Sequence, residues 1–417
     1  MRNSKYLIVG SSHAALEAAA AIRMQDPDGA LAMVTRDTRL PYSPTILPYV
    51  VSGRSEPERI LLRDEAWFAD NAIGFVRGET LAAVDAAART ARFASGAEWR
   101  YEKLLLATGA APAIPPVKGL AEVPFHVLRS MDDAVRLRDA IATARRAVVL
   151  GAGLIGMHAA ENLAKAGAAV TVVEMQAQVL PGYFEPDAAR MIERAFAAKG
   201  VTMEMGRTVT AAEPRGQGCA VILDDGRAIE ADLLLVSTGV KPEMAYLAGG
   251  GVDTDRGILV DDRMRSSAPG IWAAGDVAQA RGFYDGAKVV AGILPNAVEQ
   301  GRIAGMDMAE DEGVKSFPGS VPLNTYTFFG QQAISVGLSA GGEGREVHET
   351  VGEGGKSYRR IVLEGDRLRG VSAINDFVDA GIMWQLVLRQ VDLSAVKADF
   401  VARPLETGRM LMSRIWR

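Results

Sequence analysis

Residues 151–156 read GAGLIG, and Glu174 stands 23 positions after Gly151. A G-x-G-x-x-G turn between an apolar run and a helix forms a cradle for phosphates. Gly151 permits the tight turn, Gly153 lets a pyrophosphate approach the backbone, and Gly156 lets helix and sheet pack closely. Leu154 and Ile155 open the helix, whose N-terminal amides attract anions. An acid at Glu174 suits a free ribose 2′-hydroxyl and repels a 2′-phosphate, so the pattern favours NAD over NADP. A weaker turn, GSSHAA, spans 10–15: Gly10 keeps the first position, Ser12 and Ala15 stand in for the other two glycines, and His13 begins a helix. Its ribose acid would be Asp37, one residue later than the spacing asks for.

Other reactive side chains are sparse. The single cysteine, Cys219, rules out an internal disulfide, a C-x-x-C redox pair and a cysteine-ligated cluster within this chain. It lies in the alternating run GCAVILDDG and is expected to be a small core residue. The four histidines, His13, His126, His158 and His348, show no metal-ligand spacing, so no metal site is expected. In GIWAAGDV at 270–277, Asp276 on its own reads as a turn former or helix cap. Any redox chemistry must therefore sit on a bound cofactor.

The elements that position these residues come in two copies. KYLIVGSSHAALEAAAAIR at 5–23 and RAVVLGAGLIGMHAAENLAKAG at 146–167 each read as strand, small-residue turn and helix, with Gly10 and Gly151 141 residues apart. Each copy continues into a second strand, ALAMVTR at 30–36 and AAVTVVE at 168–174. Each closes with a hairpin-like section and a last strand, at 94–112 and 224–242, which pairs Gly109 with Gly239. This predicts an α/β protein with two Rossmann-like dinucleotide-binding domains, the second inserted in the first, followed by a C-terminal α+β domain. The proline-bearing stretches 111–119 and 239–245 read as the crossings. The expected boundaries are 1–112 with 242–320 for the first domain, 113–241 for the insert and 321–417 for the last.

With 417 residues the chain is long enough for two or three domains. A formal charge of −5 gives no electrostatic reason to expect nucleic acid. The longest apolar runs fall far short of the roughly 20 residues that span a bilayer. The N-terminus passes straight into a strand and leaves no room for a signal peptide, so a soluble cytoplasmic protein is expected.

The two glycine units, LLLATGAAP, LLLVSTGVKP and GIWAAGDVA, in this order, resemble the pyridine nucleotide-disulfide oxidoreductase family. The likeness is good over about 4–340 and looser beyond. It implies FAD in the split first domain, NAD(H) in the insert, and a C-terminal interface domain that usually helps to form a dimer. By this resemblance Asp276, after Gly275, would hold the ribityl chain, and Thr108 and Gly109 would lie near the flavin nucleotide. Pro295, Asn296 and Ala297 would open a helix beside the isoalloxazine, where a helix N-terminus stabilises negative charge on reduced flavin. Arg129 and Gly239 join the implied cofactor-binding set.

Within the family, the NADH oxidases, NADH peroxidases and coenzyme A-disulfide reductases are the most similar group. They carry histidine in the first turn, as His13 does here, and a loop reading aromatic-x-x-Cys-Gly-Leu-Pro-Tyr. In YSPTILPYVVSG at 42–53, Tyr42, Leu47, Pro48, Tyr49 and Gly53 match, but Thr45 replaces the cysteine and Ile46 the glycine beside it. A hydroxyl has no accessible redox couple, which removes the sulfur chemistry of that group. His13 then reads either as a locally bonded helix-start residue or as a proton donor near the flavin. His158 stands where family members usually carry an acid, and reads either as a helix residue facing the nicotinamide cleft or as a proton-uptake group.

Cysteine-free members of the family include ferredoxin- and rubredoxin-type reductases. The pattern is also similar to the NADH-linked FAD subunits of multi-subunit 2-oxoacid dehydrogenases of the phenylglyoxylate type. The resemblance therefore implies electron exchange between NAD(H) and a protein partner such as an iron–sulfur protein, in either direction, by a homodimer or a subunit of a larger complex. A free-standing NADH oxidase or quinone reductase, and an FAD- and NADH-binding interaction protein, are the alternatives. The terminal segment RPLETGRMLMSRIWR at 403–417, basic and apolar, either packs on its own domain or docks on an acidic partner.

Overall fold

The computed structural model describes residues 1–415, in two compact units. The first comprises Met1–Ile46, Ser55–Ala111 and Val240–Ser320. Its centre is the strand Arg2–Val9, which runs parallel to Leu31–Val34 on one side and to Glu98–Leu106 on the other. Leu7, Ile8, Leu104 and Leu105 are wholly buried, as the inner strands of a sheet covered on both faces must be. Ile73–Val76 extends the sheet beyond Leu31–Val34. Besides its pairing with Arg2–Val9, the strand Glu98–Leu106 serves two further ladders. Its first residues pair antiparallel with Thr90–Phe93, which leads on to Leu81–Asp85, and Leu104 to Leu106 pair parallel with Ile271–Ala273. The last pairing returns the chain to the first sheet after an insertion, as the repeat predicted.

Two helices of this unit approach closely because small residues face each other. A Cβ on Gly301 of helix Leu294–Met308 would stand 2.2 Å from the carbonyl oxygen of Ala14, and one on Gly305 2.4 Å from that of Ala18, both in helix His13–Gln25. The alanine-rich stretch read from the sequence is thus a contact surface for a second helix.

The second unit comprises Leu47–Arg54, Pro112–Gly239 and the residues from Val321 onward. It holds a parallel sheet in the order Thr202–Met205, Ala169–Glu174, Arg146–Leu150, Leu233–Val236. An antiparallel meander, Val209–Arg215, Gly218–Leu223 and Ala228–Ala231, accompanies it. Cys219 is 1% exposed in the middle strand of that meander, a core residue as expected. A five-stranded antiparallel sheet follows, in the order Leu323–Phe328, Gln331–Gly337, Arg367–Ile374, Tyr358–Glu364, Arg345–Val351. The proline-bearing stretches at the expected crossings hold two short strands, Ala110–Pro112 and Val240–Pro242, paired with each other.

The terminal basic segment forms the helix Pro404–Ile415. Met412 is buried, and a Cβ on Gly408 would stand 2.9 Å from the Ile382 side chain, so this helix packs on Ala380–Leu388. Trp416 and Arg417, the end of the segment considered for docking, lie outside the described residues. Among the described residues no helix is long and apolar enough to cross a membrane.

Candidate functional site

In the first unit, strand Arg2–Val9 ends at Gly10, whose φ is +124°. A Cβ there would lie 2.2 Å from the Ala107 carbonyl oxygen, so glycine alone fits. Ser12 caps the following helix by backbone geometry only, its hydroxyl making no capping bond, and His13 and buried Ala15 begin the helix. Gly275, at φ +78°, sends its N–H to Gln300 Oε1 at 2.9 Å, which fixes the turn carrying half-buried Asp276. Helix Leu294–Met308 begins with Pro295 in its first turn. Next to it Asn296, 2% exposed, has an Nδ2 without a hydrogen-bond partner. Thr108 Oγ1 lies 2.8 Å from the Tyr246 hydroxyl, and Gly109 has φ +73°.

Asp37 is engaged locally. Its carboxylate accepts from the Arg39 N–H at 2.9 Å and from the Tyr42 hydroxyl at 2.7 Å, so it braces the loop that leads to Thr45. In that loop, Thr45 is exposed in the 3-10 turn Pro44–Ile46. Its Oγ1 lies 2.8 Å from the Ser43 hydroxyl, which lies 2.8 Å from His13 Nε2. Burial holds the His13 pKa below the usual histidine value, the Arg63 guanidinium adds to this, and Asp276 opposes both. Sequence reasoning singled out both ends of this chain and passed over its middle, although Ser43 is the only hydroxyl between Tyr42 and Thr45.

In the second unit, Gly151 has φ +96° and donates its N–H to the Val173 carbonyl at 2.8 Å. A Cβ on Gly156 would lie 2.0 Å from the Gly151 carbonyl oxygen and 2.6 Å from Ser237 Oγ, so the third glycine lets the turn fold back on its own helix. Around Gly153 nothing lies within 4 Å of where a Cβ would be, which leaves open space over the first amides of helix Leu154–Lys165. Glu174 is buried; Oε2 accepts the Ala152 N–H and Oε1 the Gln176 N–H, each at 2.8 Å. Arg129 lies just before the Ser130 cap of helix Met131–Ile141 in this unit, and Gly239 closes the unit's second segment at φ +108°.

His158 stands edge-on to Tyr326, ring centroids 4.6 Å apart, and burial pulls its pKa down to about 4 against the attraction of Glu161. It lines a recess with Pro48, Tyr49, Asn162 and Thr327. Glu161 is buried and accepts from Lys165 Nζ at 2.5 Å and the Phe329 N–H at 2.7 Å. It ties the helix to the C-terminal sheet.

These residues fit two nucleotide cofactors. Gly10 and Gly275 leave bare backbone at the carboxyl end of the first sheet, and the buried Asn296 amide has a donor to give. The turn at Gly151 leaves space over helix amides and has an acid at the end of the next strand. Two such turns on two parallel sheets, one inserted in the other, decide the family.

The chain belongs to the pyridine nucleotide-disulphide oxidoreductase family. The family model matches residues 4–311. The NADH-dependent phenylglyoxylate dehydrogenase subunit epsilon of Aromatoleum evansii is 55% identical over 418 residues, covering 100% of this chain and 99% of that protein. The rubredoxin-NAD(+) reductase of Pseudomonas putida is 31% identical over 299 residues, 71% of this chain and 78% of that protein. Among solved structures, a ferredoxin reductase from Rhodopseudomonas palustris superposes with a TM-score of 0.81 at 28% identity, covering 89% of this chain and 91% of that one. The chain is an oxidoreductase with FAD and NAD(H) as its cofactors.

Proposed function

We propose that this chain passes electrons between NAD(H) and an iron–sulfur protein by way of FAD, as the NAD(H)-linked subunit of a multi-subunit 2-oxoacid dehydrogenase of the phenylglyoxylate type. The observation that carries the reading is Thr45, a hydroxyl bonded to Ser43 at the loop position where the family's sulfur chemistry is done. The chain's one thiol is no substitute, because Cys219 is buried and burial pushes its thiol pKa up, away from the reactive thiolate. Electrons then have no protein acceptor inside the chain and must pass to a partner. The full-length likeness to a subunit of a named dehydrogenase supports the choice of partner.

FAD supplies the ability to take two electrons as a hydride and release them singly. The first unit holds it through the bare backbone at Gly10 and Gly275, through Asp276, and through the donor amide of Asn296. The N-terminus of helix Leu294–Met308 stabilises negative charge there. In the second unit the Gly151–Gly156 turn holds the pyrophosphate of NAD(H), and Glu174 accepts from the ribose hydroxyls. His158 is neutral at neutral pH, so it adds no charge to its recess. A single buried, free cysteine is in keeping with a reducing compartment, and we place the protein in the cytoplasm.

The test is an anaerobic NADH titration of the FAD-loaded chain, followed by either air or an oxidised ferredoxin. Flavin absorbance is expected to bleach, to recover slowly in air and to recover fast with ferredoxin. Full recovery in air within one turnover would instead make the chain an oxidase that needs no partner.

A further inference from the structure

We propose that His13, Ser43 and Thr45 form a proton relay serving the flavin site, in which Ser43 is the positioning residue that joins the His13 ring to the exposed hydroxyl of Thr45. The inference rests on the reading that FAD binds at the Gly10 turn and gives up electrons one at a time.

The need for a relay follows from the balance. NADH yields NAD⁺, two electrons and one proton, and an iron–sulfur acceptor takes electrons only. One proton per NADH must therefore leave the site for solvent, and one must enter when the reaction runs toward NADH. That proton needs a base and a path.

Both are present. His13 Nε2, Ser43 Oγ and Thr45 Oγ1 follow one another at 2.8 Å and 2.8 Å. His13 is half-buried at the start of its helix, Ser43 is 3% exposed, and Thr45 is exposed, so the chain leads from a half-buried ring through a buried hydroxyl to the surface. Each hydroxyl both donates and accepts, which lets the whole chain reverse. With the ring neutral, Thr45 donates to Ser43 and Ser43 donates to Nε2. With the ring charged, Nε2–H donates to Ser43, Ser43 to Thr45, and Thr45 to water. The charged groups acting on the ring are Arg63 and Asp276, of opposite sign, and burial with Arg63 outweighs Asp276. The base therefore releases its proton readily at neutral pH. A cysteine at 45 would serve redox chemistry; a threonine there keeps the path and loses the sulfur.

The test compares the wild type with Ser43→Ala, Thr45→Val and the conservative Thr45→Ser, all loaded with FAD. NADH bleaches the flavin anaerobically, and ferricyanide, a one-electron acceptor, reoxidises it in H₂O and D₂O. Nitrogen-15 NMR of imidazole-labelled protein reads the His13 tautomer and titration in the same variants. Ser43→Ala and Thr45→Val are expected to slow reoxidation about tenfold or more and to alter its solvent isotope effect, with Thr45→Ser near wild type. In Ser43→Ala the Nε2 resonance is expected to move. Reoxidation at the wild-type rate and isotope effect in Ser43→Ala overturns the relay, as does equal slowing of reduction and reoxidation, which marks a structural role. Failure of the wild type to bind FAD or to bleach with NADH overturns the functional reading instead, and the two failures are distinct.

Discussion

The Glu174 carboxylate and the Ala152 N–H are 22 residues apart in sequence and 2.8 Å apart in space. The bond ties the end of one strand to the glycine turn at the end of its neighbour, so the acid proposed to meet the ribose also shapes the turn proposed to hold the phosphates. Its second oxygen holds the Gln176 N–H. Glu174→Ala leaves two main-chain donors without partners, which costs roughly 1–3 kcal/mol for each that stays buried. The expected outcome is a lower melting temperature, weaker NADH binding, and a smaller preference for NADH over NADPH. Met175, 69% exposed beside it, offers a place for a cation: Glu174→Ala with Met175→Arg is expected to bind NADPH better than the single variant. Calorimetric titration with both nucleotides checks each step.

The close approach of helices His13–Gln25 and Leu294–Met308 makes a second prediction. Gly301 and Gly305 face the backbone of Ala14 and Ala18, with no room for a methyl group. Gly301→Val is expected to force the helices apart at a cost of about 1–3 kcal/mol, as overpacking does. The first turns of these helices hold His13 and Asn296, so the flavin content of the purified protein is expected to fall with stability. Thermal unfolding and the ratio of flavin to protein absorbance measure both. An unchanged melting temperature would show that the helices can slide apart without loss.

That packing marks a limit of sequence reading. The glycine turns and the strand that ends at Glu174 were legible because local rules fix them: a tight turn needs glycine, and an apolar run ends where its pattern stops. The return of Ile271–Ala273 to the first sheet was legible from the repeat. Gly301 and Gly305 gave no such signal, because what excludes a side chain there is a helix nearly 300 residues earlier. Ser43 and Glu161 were passed over for the same reason. Their partners, His13 and Phe329, are distant in the chain, and an isolated serine or a glutamate four residues before a lysine has a local explanation that suffices. Asp37 ran the other way: its spacing suggested a nucleotide, and the structure shows it also bracing its own loop.

Asn296 carries a third prediction, whose sign separates binding from folding. Its Nδ2 is buried without a partner, so the amide costs the protein something while no ligand meets it. Asn296→Leu is expected to leave the melting temperature of the FAD-free protein unchanged or raised and to weaken FAD binding about tenfold, the loss of a hydrogen bond of ~1–1.5 kcal/mol. Fluorescence titration with FAD and unfolding without it are the measurements. A fall in FAD-free stability would mean that the amide is satisfied inside the protein.

His158 gives a pH dependence of defined sign. Burial pulls its pKa down to about 4, against an ordinary 6.5, so the unfolded chain binds a proton between these values that the folded chain does not. Stability from this residue is therefore complete above about pH 6.5 and is lost as the pH falls toward 4, by an amount of the order of 3 kcal/mol at the low end. Nearby Glu161 opposes the shift, and Arg54 and Lys165 add to it. The urea midpoint is expected to drop between pH 7 and pH 5. His158→Gln is expected to flatten that slope, because a neutral amide of similar reach does not titrate. If the slope persists in His158→Gln, the acid sensitivity belongs to other groups, and His158 is not held neutral by its surroundings.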